Sequence, residues 1–148
     1  MISLILFKWY GRDGYFIRQD MYIRDMRLRV ARHTASLEKI IEFYQDVLGF
    51  RQLGSFKDRH GYDGVFLGIP GENWHLAYTV SADPPVHETD EDDFLVLYPE
   101  SKEVFARMLS KARKAGTTEV KARNPFWNEN AVNLLDPDGF RLVLVMVQ

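Results

Sequence analysis

Residues 37–50 read LEKIIEFYQDVLGF. Leu37, Ile40, Ile41, Tyr44 and Leu48 follow the i, i+3, i+4, i+7, i+11 spacing of a helix with one buried face. Ser36 is placed to cap that helix, Glu38 suits the positive end of its dipole, and Gly49 can take the left-handed conformation that stops it. Upstream, Arg27–Thr34 alternate as a strand, with Leu28 and Val30 on one face and Arg29, Ala31 and His33 on the other. Downstream, Arg51–Phe56, Gly64–Ile69 and Trp74–Val80 read as three strands, punctuated by turn residues at Asp58–Gly61 and Pro70-Gly71.

The second half repeats this order. Phe94–Tyr98 is a strand, Ser101 caps a helix with the stripe Val104, Phe105, Met108, Leu109 and Ala112, and Gly116 ends it. Glu119–Arg123, Asn130–Leu135 and Arg141–Val147 are strands, the last two joined by the turn Asp136-Pro137-Asp138-Gly139. Each half is strand–helix–strand–strand–strand. Such a unit cannot cover both faces of its own sheet, so the halves must pack together or with another chain. The pattern predicts a pair of curved antiparallel sheets with helices outside and a cup inside. Between the halves, Ala82–Asp93 holds two prolines and six acidic residues and reads as an exposed linker. Before them, Leu4–Tyr10 and Tyr15–Arg18 flank Gly11-Arg12-Asp13-Gly14. That is either a β-hairpin or an extension upstream of a start at Met21 or Met26. The organisation expected is an extension over 1–20 and one domain over 21–148. Within that domain the first module spans about 27–80, the linker 82–93 and the second module about 93–147.

Composition narrows the function classes. With 148 residues, 46% hydrophobic and 27% charged, the chain is globular and long enough for one core. The absence of cysteine excludes disulfide scaffolds, thiolate metal sites and cysteine nucleophiles. A net charge of -2 implies no broad basic surface, so no nucleic-acid partner is expected. No apolar run reaches the roughly 18 residues of a membrane span, so no membrane partner is expected either. Met1–Tyr10 lacks a basic leader and a small-residue cleavage site, which reads as a soluble, cytoplasmic protein. No serine sits in a Gly-x-Ser-x-Gly elbow, and there is no Gly-rich phosphate loop.

The core "FYQDVLGF" (43–50) resembles the first-module signature of the vicinal oxygen chelate superfamily, and "DPDGFRLVLV" (136–145) resembles its closing hairpin. That superfamily includes glyoxalase I, bleomycin-resistance proteins, fosfomycin-resistance enzymes and extradiol dioxygenases. "DGVFLGIPGENWHLAYT" (63–79) and "NPFW" (124–127) are similar to a bacterial branch of it. The resemblance spans about 27–147. It implies an α+β fold of two βαβββ modules forming a cup-shaped mixed sheet, and a homodimer. The two end motifs are specific to that fold, not to a reaction.

Metal-dependent members hold a divalent cation with one cup-facing His, Glu or Gln from each of four strands. By the resemblance those positions fall here on Arg29, on Ala77, on Asp93 (or Asp92 with the register one residue earlier) and on Val143. A guanidinium has no lone pair to give, and Ala and Val carry no donor. One possible ligand of four does not make a metal site, so neither a metal nor another cofactor is expected.

Alternation places His75 with Ala77, His33 with Arg29, and Arg141 with Val143. The cup is expected to hold Arg29, His75 and Asp93 among apolar side chains such as Leu95, Leu97 and Val143. Convergent polar groups in an apolar concavity suit a small-molecule ligand. Equally, Arg29 and Asp93 could form an internal ion pair where relatives hold their metal. Trp127, between Asn124 and Asn128, is either a wall of the cup or a core and interface residue. The ligand-binding candidates are thus Arg29, His33, His75, Asp93, Trp127 and Arg141. The leading reading is a metal-independent small-molecule-binding protein resembling the bleomycin-resistance members. The alternatives are a glyoxalase/lyase-type or dioxygenase-like enzyme, with His75 as its acid or base, and an interaction protein with a vestigial cup.

Overall fold

A computed structural model describes the strands Phe7–Tyr10 and Tyr15–Arg18 and all residues from 26 to 148. The first two strands, β1 (Phe7–Tyr10) and β2 (Tyr15–Arg18), pair antiparallel as a hairpin. The expected residues 4–6 and the turn 11–14 lie outside the described residues.

The first module runs β3 (Leu28–His33), α1 (Leu37–Ile41), a π-helical turn (Glu42–Val47), β4 (Arg51–Arg59), β5 (Tyr62–Gly68) and β6 (Trp74–Val80). The second runs β7 (Phe94–Leu97), α2 (Lys102–Lys114), β8 (Glu119–Val120), α3 (Pro125–Asn130), β9 (Ala131–Leu135) and β10 (Arg141–Val145). The two four-stranded sheets have the same order, β3-β6-β5-β4 and β7-β10-β9-β8. Each is mixed rather than wholly antiparallel. β3 runs parallel to β6 and β7 parallel to β10, because the helix after each first strand carries the chain over the sheet before the hairpins return it. This is the expected α+β architecture of two βαβββ modules, with the hairpin in front.

Both helix caps form as read. The Ser36 hydroxyl accepts from the Lys39 amide and the Ser101 hydroxyl from the Val104 amide. Past Ile41 the helix widens, and the Leu48 amide reaches the Phe43 carbonyl. The wider turn lets two adjacent pairs, Phe43-Tyr44 and Val47-Leu48, all be buried, where a strict α-helical stripe would have selected Tyr44 and Leu48. Gly49, at φ 81°, then turns the chain so that Phe50 packs against Trp74 and Tyr44.

The largest differences from the sequence reading are three. β4 runs on to Arg59, so the hairpin turn shrinks to His60-Gly61, with Asp58 and His60 at positive φ and the Asp63 carboxylate accepting from the Asp58 amide. The strand expected over 119–123 stops at Val120. "NPFWNEN", read as a loop entering a strand, is the helix α3: Asn124 caps it through the Phe126 amide and Pro125 occupies its first turn.

One core joins the modules. Ile40, Tyr44, Phe50, Val65, Leu67, Leu76 and Tyr78 of the first pack in one cluster with Ala112, Leu134 and Leu142 of the second. The apolar stripe of α2 is only half-buried apart from Ala112. The linker 81–93 is irregular and mostly exposed.

Candidate functional site

Strand pairing aligns Arg29 with His75, Ala31 with Ala77, and Ala77 with Phe66. The intervening residues Val65, Leu67, Leu76 and Tyr78 point into the core. The opposite face of the first sheet therefore presents Arg29, His75 and Phe66 to the outside, with His33 and Tyr62 further along it. Small residues keep this face shallow. Gly64 lies beneath the ring of Phe56, where a Cβ would collide with it, and Gly54 lies beneath Phe66. Phe56 and Phe66 stand 5.9 Å apart, Phe66 and the His75 ring 5.7 Å.

Arg29 is fixed at two points. Its Nε donates to His75 Nε2 at 2.8 Å, and its guanidinium carbon lies 4.4 Å above the Phe66 ring. A donor on Nε2 is compatible only with a neutral imidazole carrying its proton on Nδ1. The electrostatics agree: desolvation, then the nearby Arg29 and Arg27 charges, hold His75 below the usual imidazole range.

His33 sits at the rim. Its Nε2 lies 3.1 Å from the Ser81 hydroxyl, and its carbonyl accepts from His87 Nε2 at 2.6 Å. The His87 ring in turn meets Phe140 edge-on. His87, held by the His33 carbonyl and packed on Phe140, thus ties the linker to both modules.

The remaining candidates lie on the second module. Arg141 pairs with Phe94 and Val143 with Val96, so these four share a face, and α3 lies over it with Trp127 packed on Phe94. The Asn133 amide donates to the Trp127 carbonyl and steadies that helix. Arg141 reaches back to the Lys121 carbonyl and approaches Glu91, a bracing role. Asp93 is a correction. Leu142 pairs with Leu95 and faces the core, so Leu95 and Leu97 point inward and Asp93 falls out of phase with Val143. The expected Arg29–Asp93 pair is accordingly replaced by Arg29–His75. Asp93 is exposed and its amide closes a turn onto the Asp90 carbonyl, while Asp92 and Asp90 clasp Arg123. Alternation within one strand cannot supply the phase between strands that are not neighbours in the chain.

The donor set does not suit a divalent cation. Arg29 and Ala77 stand on the open face of the first sheet, Val143 is buried under α3, and Asp93 lies off both faces.

One polar cluster escaped the sequence reading. Tyr44, in the buried stripe, donates its hydroxyl to Asp136 Oδ2 at 2.8 Å, and Asp136 Oδ1 accepts the amides of Asp138 and Phe140. Thr34 donates to Asp138, and Arg32 stacks on Phe140 with its guanidinium carbon 3.7 Å from the ring centre. Burial raises both the Tyr44 phenol and the Asp136 carboxyl above their ordinary values. The signal was present: a tyrosine in a core stripe needs a hydrogen-bond partner. These groups bind the modules to each other.

Two of the hollows on the helix side are chiefly apolar. A groove of about 640 Å³ runs between the π-turn and α2, and an apolar cavity of about 230 Å³ sits between β3, β7 and Phe50. Both lack the convergent polar pair found on the open face.

The description "YycE-like N-terminal domain" matches residues 28–79, and "YycE-like C-terminal domain" matches residues 92–146. The chain is 37% identical over 123 residues to the uncharacterised protein YycE of Bacillus subtilis strain 168, covering 80% of this chain and 86% of that one. The crystal structure of a Bacillus subtilis YycE protein of unknown function superposes with a TM-score of 0.76 at 34% identity, over 82% of this chain and 90% of that one. The trypanothione-dependent glyoxalase I of Leishmania major (TM-score 0.63, 20% identity, 80% and 84% covered) shares the fold. So does the fosfomycin-resistance protein FosX of Mesorhizobium loti (TM-score 0.62, 13% identity, 81% and 90% covered).

Proposed function

Given that the chain belongs to the YycE-like family of the vicinal oxygen chelate superfamily, we propose that it is a metal-independent small-molecule-binding protein whose ligand sits on the open face of the first sheet. The observation that carries this reading is Arg29. A guanidinium locked to His75 and Phe66 occupies the position that the superfamily resemblance assigns to a metal ligand, and a guanidinium repels a cation instead of holding one. Binding is favoured over proton abstraction because the His75 Nε2 lone pair, which a general base would use, is already taken by Arg29. The half-exposed Phe56 and Phe66 supply flat apolar contact area beside these polar groups. A homodimer and a cytoplasmic location belong to the same proposal. The half-covered α2 stripe supports the dimer.

The test is elemental analysis and native mass spectrometry of protein purified without added metal. The expected result is no stoichiometric zinc, nickel, manganese or iron, a melting temperature unmoved by chelator, and a small organic molecule retained on the folded chain. A stoichiometric metal with a chelator-sensitive melt overturns metal independence.

A further inference from the structure

We infer that the ligand of the open face is a small anion, a carboxylate or phospho group on a flat apolar body, gripped end-on by the Arg29 guanidinium. This rests on the binding function proposed above and adds the chemical class.

The first argument is that Arg29 is held ready but not neutralised. Its Nε is committed to His75 and its plane lies over Phe66, yet neither Nη nitrogen has a partner among the described residues. The two Nη groups form the end of the planar fork that grips a carboxylate or phosphate in bidentate fashion. A side chain already fixed loses little further freedom on binding.

The second is the sign of the surroundings. Among the described residues, none of the strand positions that the pairing places on this face is Asp or Glu, and Arg51 and Arg59 fall on the same face along β4, the edge opposite Arg29. Asp90 and Asp92 clasp Arg123, and Asp63 accepts from the Asp58 amide. An apolar-floored face that carries guanidiniums and, among its described strand positions, no carboxylate raises the local concentration of anions.

The third is the floor itself. Phe66 and Phe56 lie next to one another, with Arg59 reaching over Phe56 at 4.9 Å. They offer stacking area one ring away from the Arg29 fork. A ligand with both a charged end and a flat body uses both features, and a bare inorganic ion uses only one.

Four probes of similar size decide it, titrated into the full-length protein while backbone amide signals are followed by NMR: benzoate, phenylphosphonate, benzamide and phenyltrimethylammonium. The expected result is that benzoate or phenylphosphonate shifts Arg29, Phe66 and His75, at least about tenfold more tightly than benzamide. The tighter of the two anions identifies the head group. Arg29→Met abolishes that binding, and Arg29→Lys, which keeps the charge but not the planar fork, weakens it by about tenfold. Unchanged amide spectra elsewhere show that both variants fold, and Arg29→Lys keeps the test open if Arg29→Met does not. Benzamide or phenyltrimethylammonium binding these residues as well as the anions overturns the anion inference and leaves the binding function standing. If no probe shifts the open face and native mass spectrometry finds no retained molecule, both fall.

Discussion

At the residue scale the most consequential side chain outside the open face is Asp136. A single carboxylate accepts three hydrogen bonds, from the Tyr44 hydroxyl and the amides of Asp138 and Phe140, and it does so in the core. Asp136→Ala leaves three donors without an acceptor and is expected to destabilise by about 2–4 kcal/mol in urea unfolding. Tyr44→Phe removes only one donor and is expected to cost about 1–2 kcal/mol. The pH dependence has a definite sign. Burial raises the Asp136 carboxyl above its ordinary value of 3.8, so the native state holds that proton more tightly than the unfolded chain does. Its stabilising contribution is complete below that ordinary value and is lost as pH rises through the folded value. Asp136→Asn cannot ionise. The stability difference between the native protein and this variant should therefore move in the variant's favour as pH rises from about 4. A difference that stays constant with pH shows that the carboxyl does not titrate there.

At the scale of elements the linker is the revealing case. Its charges lie on the surface, and its fixed point is a histidine. The Asp90 and Asp92 pairs with Arg123 are exposed at both ends, and solvent screening leaves such pairs contributing little to stability. Replacing Glu88, Asp90 and Glu91 together by their amides should therefore leave the melting temperature nearly unchanged. His87 differs, because it donates to the His33 carbonyl and packs on Phe140, one contact to each module. His87→Ala should cost more than the three neutralisations combined, about 1–2 kcal/mol by thermal melting. The opposite ranking would mean that charge, not the histidine anchor, seats the linker. The short helix α3 acts similarly for the second sheet: Asn128 holds it to both backbone groups of Ala122, and Asn133 holds the Trp127 carbonyl.

For the whole molecule, the shared core means that neither module is a self-sufficient unit. Tyr44 and Phe50 of the first pack in the same cluster as Leu134 and Leu142 of the second, and the Tyr44–Asp136 and Thr34–Asp138 bonds cross the same seam. Denaturant unfolding should be one cooperative transition, with tryptophan fluorescence and far-ultraviolet circular dichroism reporting the same midpoint. Two separated midpoints would show modules that fold independently, a repeat by sequence and by energy alike. The seam is built on the helix-facing side of the first sheet, and Arg29, His75 and Phe66 lie on the other side.

What the sequence determined by itself is everything that depends on near neighbours. The caps at Ser36 and Ser101, the stop at Gly49, the Asp136–Gly139 turn and the repeated strand–helix–strand–strand–strand order are all interactions within a few residues, and each leaves its mark in the local pattern. The faces of single strands were legible for the same reason: Arg29 shares a face with His33, and His75 with Ala77, as alternation implies. The tertiary structure alone decided what joins distant segments. Arg29 and His75 are 46 residues apart, and Tyr44 and Asp136 are 92 apart. Their pairing follows from which strands become neighbours and in what register, which no local period encodes. Asp93 was misplaced because the phase of β7 is set by β10, its parallel partner, across the width of the second module. The π-turn and the burial of Val143 under α3 arise likewise from the demand to fill one shared core. That demand is met by packing between elements, not by the propensity of any one of them.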